Sequence, residues 1–446
     1  MSDKKNLFKE RSFCVSSDFS LDELNYLFDK GKELKEAWFS NSPDRQKMLS
    51  KFRINNPHLG DFLDPDFGIY DAFFENSTRT DHSTKNAAKF HHVNHLSFDP
   101  GKSSLSKSES YADTFMTLAG YNNKIFIIRT KLEGVCKWLD IKGTDFYTQG
   151  KLEFKPAFIN AGDGKHEHPT QELLDDFTFL EDNNWGRDHI HIALIGDLLH
   201  GRTVHSKVDG LKIFQNVEVD LVAPEVLQMP EHYVEKMKKN GFKLRFFESL
   251  EEYYAQPKIA RKQYFTRPQL ERMGDEIIKI QHVLRDKIIF KKAYLDKLPE
   301  NTFFYHPFPR HREHPTIPEF LDTLPLNHYS VQSTNGKIMR IILLSAISGK
   351  IGWDFEGETV PVQSYSDSFI KDIIPDQQKK KIYKEGINPL ANGVVIDHIS
   401  RGEKQALPIW NYLMKVMDRM DFIRYKGSIH VGESKKNPGM FKGIIF

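Results

Sequence analysis

Apolar residues in "SLDELNYLFDKGKELKEAWF" recur at helical spacing behind Ser20, a good N-cap, which predicts a helix over residues 21–39. The polar, Pro-containing residues 40–66 read as a long surface connection. "FGIYDAFF" has the continuous apolar character of a buried strand, and a helix is predicted after it from Thr78 to His91. "KIFIIRT" and "AFINAG" are two further strands. Between residues 170 and 320 the alternation repeats: helix "TQELLDDFTFLE", strand "HIHIALIGD", helix "TVHSKVDGLKIF", strand "VEVDLVAP", helix "EHYVEKMKKNG", strand "KLRFFES", and later "NTFFYHPFPR". Strands alternating with helices of about 10 to 15 residues predict parallel, doubly wound sheets covered by helices, here in two α/β lobes. "GKIMRIILLSAISGK" predicts a helix that returns to the first lobe. Past Lys350 the pattern becomes polar and weakly periodic, as in a linker. "GVVIDHI", "PIWNYLMKVMDRM" and "KGSIHV" then give a strand, helix, strand order in a small third unit.

Composition narrows the classes of partner. The chain has 446 residues, enough for two or three domains. Lys plus Arg number 63 against 61 Asp plus Glu, so a net charge of +2 gives no general attraction to nucleic acid or an anionic membrane, and any anion site has to be built locally. No run reaches the roughly 18 apolar residues of a membrane span, and the start carries no apolar leader, so a soluble cytoplasmic protein is expected. Only Cys14 and Cys136 occur, too few for a disulfide framework or a four-thiolate zinc site.

Five polar clusters fall where strands give way to helices or loops. Ser77, Thr78, Arg79 and Thr80 open a predicted helix, where unpaired N–H groups and the dipole favour an anion; hydroxyls and a guanidinium suit a phosphate dianion, although a plain Ser N-cap with a solvated Arg accounts for them equally well. "HEHPTQ" places His168, Thr170 and Gln171 at a loop-to-helix junction after a strand, the usual ligand crevice of an open α/β sheet or simply a polar capping loop. "GDLLHGRTVHS" sets Arg202 at the opening of a helix and lacks the paired glycines of a dinucleotide fingerprint. "YFTRPQLER" puts Arg267 and Gln269 on one side of an extended segment, and "HPFPR" offers a Phe308–Pro309 bond suited to the cis form. With no Ser-His-Asp set, the inventory fits a transfer reaction run by positioning and charge stabilisation, without a covalent intermediate. His91 and His95, read as one helical turn apart, are taken as a polar helix face, with no metal; Lys379 to Lys381 are taken as solvated linker.

STRT after a strand, the "SSLSK" loop, the Arg of "IIRT", HPTQ, GRTVHS, TRPQLER and HPFPR occur in an order and spacing that resemble the catalytic chain of aspartate carbamoyltransferase, over roughly residues 10–350. "GVVIDHI" resembles the start of that enzyme's regulatory chain, so the protein is similar to a catalytic and regulatory fusion. The resemblance implies a carbamoyl-phosphate lobe at 1–172 completed by residues 326–350, an aspartate lobe at 173–325, a linker at 351–385, and a partial regulatory-chain-like α+β domain at 386–446 that binds nucleotides. It further implies carbamoyl transfer to the α-amine of L-aspartate, a step of pyrimidine biosynthesis that needs no cofactor.

By that resemblance Ser77, Thr78, Arg79 and Thr80 hold the phosphate, and Arg129 and His168 with Thr80 meet the carbonyl oxygen. Gln171 and the backbone carbonyls of Pro307 and Phe308 meet the carbamoyl amide. Aspartate's α-carboxylate falls to Arg129 and Arg202, its β-carboxylate to Arg267 and Gln269. Ser103 and Lys107 are expected from a neighbouring subunit of a homotrimer with shared sites, with a higher assembly through the C-terminal part open. Glu75 resembles a residue that bridges to Arg202 and Arg272 on closure, and Asp397, His398 and Lys442 match positions for an ATP or CTP effector. A chain stopping at "KGIIF", without cysteines for a zinc domain, leads us to expect weak or absent nucleotide response; the alternative for residues 390–446 is an oligomerisation module. Rival readings are an ornithine carbamoyltransferase, which typically has a cysteine where HPFP stands, and a noncatalytic scaffold, which predicts lost phosphate or carbonyl ligands. Asp81 stands where many relatives carry Arg, and helical geometry lets it serve the dipole while pointing away from a ligand.

Overall fold

A computed structural model describes residues 6–98, 111–130, 135–164, 167–269, 281–312 and 315–360, with three short strands beyond them. The chain divides into two compact units: residues 1–19, 50–166 and 344–446 form unit 1, and residues 20–49 and 167–343 form unit 2. Helix α1 (Leu21–Phe39) starts as its sequence predicts, in a capping box where the Ser20 hydroxyl accepts from the Glu23 N–H at 3.1 Å and the Glu23 carboxylate accepts from the Ser20 N–H at 2.8 Å. The expected plain connection after it instead carries a short helix (Arg45–Ser50) and an antiparallel pair joining Asn55–Asn56 to Asp61–Phe62. Neither element has the length or periodicity that marks a sequence pattern.

Unit 1 is built on β1 (Gly68–Phe73), α2 (Thr78–Phe90), β2 (Asn94–Phe98), α3 (Tyr111–Ala119), β3 (Asn123–Thr130), α4 (Val135–Thr148) and β4 (Ala157–Asp163). The sheet order is β2-β1-β3-β4, parallel throughout. Ile125, Phe126, Ile127 and Ile128 are all buried, as a strand covered on both faces requires, and Phe126 stacks on Phe158 at 5.3 Å. The N-terminal segment extends the edge, Phe13 donating to the Phe158 carbonyl at 2.8 Å.

Unit 2 contains α5 (Pro169–Glu181), β5 (His189–Ile195), α6 (Arg202–His205), α7 (Lys207–Gly210), β6 (Asn216–Val222), α8 (Glu231–Lys239), β7 (Lys243–Phe247), β8 (Lys262–Phe265), β9 (Phe303–Tyr305) and α9 (Tyr329–Ile347), whose last turn from Leu344 belongs to unit 1. Its five strands run parallel in the order β9-β8-β5-β6-β7. The single helix expected over "TVHSKVDGLKIF" is broken into α6, α7 and a 3-10 turn (Leu211–Ile213). The break lets Gly210 lie against Glu172 of α5, where a Cβ would overlap the carboxylate.

In the C-terminal region, β10 (Val395–Ile396), β11 (His430–Glu433) and β12 (Phe441–Ile444) form an antiparallel sheet in the order β10-β12-β11. The expected helix "PIWNYLMKVMDRM" and the Lys379 to Lys381 run lie outside the described residues. Among the described residues no helix is long and apolar enough to cross a membrane.

Candidate active site

In unit 1 the "STRT" residues stand where β1 gives way to α2. Ser77 is the N-cap in an extended conformation, and its side chain makes no capping bond, so its hydroxyl is not spent on the helix. Thr78, Arg79 and Thr80 form the first turn, Thr80 buried and Arg79 and Thr78 exposed. Asp81 is charge-balanced on its own helix: Lys85, one turn on, meets it at 2.8 Å, and the bond raises the Lys85 pKa. Arg129, next to last in β3, donates to the Ala161 carbonyl of β4 at 3.0 Å, and its Nε lies 3.9 Å from the Glu75 carboxylate. Glu75 and Arg129 thus share the carboxyl edge of the sheet, where ligands of open α/β folds bind.

The two histidines of "HHVNH" are not one helical turn apart. Helix α2 ends at Phe90, so His91 is its C-cap, buried, and accepts from the Ile54 N–H at 3.3 Å, whereas His95 sits in β2 and bonds the Asp71 carboxylate of β1 at 2.9 Å. The polar helix face expected there does not exist, because the β2 strand begins at Asn94. Among the described residues no group of three or more potential ligands gathers in metal-binding geometry.

In unit 2 His168 caps α5 and Pro169 occupies its first turn, the position where a missing N–H costs nothing. Arg340 of α9, a pure donor, donates a hydrogen bond to the Thr170 hydroxyl oxygen at 3.3 Å, and that hydroxyl lies 3.3 Å from His168 Nδ1. The hydroxyl has one proton to give, and when it gives it to Nδ1 the ring proton sits on Nε2, which is then a donor. Burial pulls the Arg340 pKa down to about 10, still protonated at neutral pH. Gln171 donates from Nε2 to Asp175 Oδ1 at 2.8 Å.

The remaining unit 2 residues stand at the carboxyl ends of three adjacent parallel strands. After β5, Gly196 takes φ +120° and lies so close to the Thr266 carbonyl just past β8 that a Cβ would overlap it, two reasons for glycine here. The Asp197 N–H then donates to the Thr266 hydroxyl oxygen (2.9 Å), while the Asp197 carboxylate accepts from the Gln269 N–H at 2.9 Å and the His200 N–H at 3.0 Å. Gln269 Nε2 also donates to the His200 carbonyl at 2.8 Å, so the β5 and β8 loops are laced together. Arg202 is buried at the start of α6, and Arg267 Nη1 donates to the Pro268 carbonyl at 3.2 Å. After β9, the Phe308–Pro309 bond is cis, as its sequence suggests, and the Phe308 N–H donates to His306 Nδ1 at 2.8 Å. Ser103, Lys107, Arg272, Asp397 and His398 lie outside the described residues; Lys442 is in β12.

One group was missed by sequence reasoning. Lys207 is fully buried and reaches Glu172 at 2.6 Å and Asp175 at 2.7 Å. Burial pulls its pKa down, but Asp175, Glu172 and Asp176 outweigh that and hold it above its ordinary value. Burial, helped by Asp176, raises the Glu172 carboxyl, and burial raises that of Asp176 to about 7. Acidic residues at 172, 175 and 176 share one helix face, the signal that a buried cation was needed.

Residues 11–181 match the family model described as "Aspartate/ornithine carbamoyltransferase, carbamoyl-P binding domain". The chain is 54% identical over 447 residues to "Protein PyrBI" of Treponema denticola, covering 99% of this chain and 81% of that one. It is 33% identical over 346 residues to the aspartate carbamoyltransferase catalytic subunit of Methanobrevibacter smithii, covering 76% of this chain and 96% of that subunit. The crystal structure of Trypanosoma cruzi aspartate transcarbamoylase in complex with carbamoyl aspartate and phosphate superposes with a TM-score of 0.61 at 26% identity, over 77% of this chain and 98% of that one. With parallel strands ending in these polar loops in each unit, and with relatives matched over most of their length, the chain belongs to the aspartate carbamoyltransferase family.

Proposed function

We propose that this protein transfers the carbamoyl group of carbamoyl phosphate to the α-amine of L-aspartate, giving N-carbamoyl-L-aspartate and phosphate. The observation that carries the reading is the placement of the anion and amide groups at the carboxyl ends of parallel strands, in a chain of this family. In unit 1 the α2 N-terminus offers N–H groups, the Ser77 hydroxyl and Arg79 to the phosphate, with Thr80 and Arg129 for the carbonyl oxygen. Unit 2 offers His168 as a ring N–H donor for that oxygen, and Gln171 with the Pro307 and Phe308 carbonyls as acceptors for the carbamoyl amine. Arg202, with Arg129, suits the α-carboxylate of aspartate, and Arg267 with Gln269 the β-carboxylate.

The uncharged α-amine attacks the carbonyl carbon and a C–N bond forms as the C=O electrons move to oxygen. Donors that meet that oxyanion more strongly than the ground-state carbonyl lower the barrier. The C–O bond to phosphate then breaks, and the amine's proton leaves with the phosphate. Ser103 and Lys107 from a neighbouring copy of a trimer, the Glu75 to Arg202 and Arg272 contacts on closure, the lobe bounds near residues 172 and 325, and an ATP or CTP site using Asp397, His398 and Lys442 are further parts of this reading. CTP titration of the transfer rate tests the last, with a weak response expected. For the reaction itself, calorimetry with a bisubstrate compound joining a phosphonate to aspartate tests whether one site takes both halves. Binding at least 100-fold tighter than phosphate supports the reading; binding no tighter than phosphate refutes it.

A further inference from the structure

Three carboxyl groups of α5 point into the interior of unit 2. Glu172, Asp175 and Asp176 are each no more than 2% exposed, and Lys207 from α7 sits among them with its ammonium near the rings of Tyr264 (4.6 Å) and Phe179 (5.3 Å). Lys207 takes Asp175 Oδ2 at 2.7 Å. The other oxygen of Asp175 accepts twice, from Gln171 Nε2 at 2.8 Å and from Gln332 Nε2 of α9 at 2.6 Å. A carboxylate has only lone pairs to offer, so both amides must turn their nitrogens toward it and their oxygens away. Gln332 spends its oxygen on the His306 N–H at 2.8 Å, and His306 Nδ1 in turn accepts from the Phe308 N–H. One buried carboxylate therefore sets the amide orientation of Gln171 and the backbone of the Pro307–Phe308 turn.

We propose that Asp175, balanced by Lys207, is a positioning residue that makes the carbamoyl-amine site acceptor-only, and so selects an NH2 group over a methyl group in the acyl phosphate. This rests on the reading of Gln171 and the 307–308 carbonyls given above. An acetyl phosphate has the same size and charge but no N–H to give, and it leaves those acceptors unpaired. In Asp175→Asn the amide keeps its oxygen on Lys207 and presents Nδ2 to the two glutamines. Gln171 then turns its oxygen inward and its NH2 outward, toward another donor.

The test is the ratio of carbamoyl phosphate affinity to acetyl phosphate affinity, measured by competition on the full chain. Wild type is expected to prefer carbamoyl phosphate by roughly 10- to 100-fold. Asp175→Asn is expected to lose most of that preference by weakening carbamoyl phosphate while leaving acetyl phosphate within about twofold. In a Gln171→Ala background the same change is expected to shift the ratio only a few-fold, through the Gln332 route that remains. If Asp175→Asn does not fold, Gln332→Leu, which removes the relay from Asp175 to His306 and leaves Gln171 on Asp175, is expected to reduce the ratio a few-fold. A ratio unchanged in the folded variant, equal weakening of both ligands, or an undiminished effect without Gln171 overturns the proposal alone. A wild type with no preference, or a Gln171→Ala variant that keeps it, overturns the assignment of the amine site on which the proposal stands.

Discussion

Replacing Lys207 by Met keeps an unbranched stem of similar length and removes the ammonium that meets both Glu172 and Asp175. Lys207 is 0% exposed, so water cannot take over its role. Breaking a buried pair from one side costs about 3–5 kcal/mol, because the partner charge is left uncompensated. The cost depends on pH in a direction that follows from the protons involved. In wild type the raised Lys207 pKa keeps the ammonium charged throughout the neutral range. Without it, the folded carboxyls have to bind one further proton, while the unfolded ones ionise near pH 4 as usual. Each pH unit above that widens the gap to wild type by about 1.36 kcal/mol. Between about pH 5.5 and pH 8 the extra loss amounts to about 3.4 kcal/mol, on top of about 2 kcal/mol at pH 5.5. Urea unfolding of the full chain at both pH values, with amide exchange over α5 and α7 to localise the effect, measures it. An equal loss at both pH values, or a loss below about 1 kcal/mol at pH 8, refutes the electrostatic account of this cluster.

Three other outcomes follow from local geometry. Glu172 Oε1 and Asp176 Oδ1 are buried without another donor among the described residues, as suits two carboxyls holding one proton. The unfolded chain gives up that proton near pH 4 and the folded chain near 7, so stability falls as pH rises through this window; Asp176→Asn should flatten the slope by up to about 1.4 kcal/mol per pH unit, read by calorimetric unfolding. Asp81→Arg should change phosphate affinity by less than about threefold in isothermal titration, since Asp81 is engaged with Lys85 in a pair worth only about 0.3–0.5 kcal/mol; a tenfold change would mean that the side chain faces the ligand. Gly196→Ala forces a side chain into a positive-φ position against the Thr266 carbonyl, so about 1–3 kcal/mol of stability should be lost, and the aspartate KM should rise while phosphate affinity holds.

The sequence makes the strands legible wherever both faces of a sheet are covered. "KIFIIRT" and "HIHIALIGD" are continuous apolar runs because helices bury them from either side, and they become β3 and β5. Ser20 and Glu23 mark the start of α1 by chemistry that acts within four residues. What stays hidden is set by distant partners. "TVHSKVDGLKIF" has helical composition, yet the approach of Gly210 to Glu172 accompanies its division into short turns. His91 and His95 share a helical spacing on paper, but pairing of β2 with β1 claims His95 for a strand. The site shows the same division. STRT, HPTQ and HPFPR are local motifs, and each sits at the end of a parallel strand or the start of a helix. Asp175 and Lys207 are 32 residues apart and carry no motif; only the fold shows that one carboxylate governs two glutamines.

Transfer of radiolabelled carbamoyl from carbamoyl phosphate to L-aspartate and to L-ornithine, side by side, with phosphate release counted in the same samples, decides which reaction the protein runs. Labelled N-carbamoyl-L-aspartate with one phosphate per product, and no citrulline above background, is the expected result. Labelled citrulline with ornithine, or no label transferred to either amino acid by the folded, assembled protein, would contradict it.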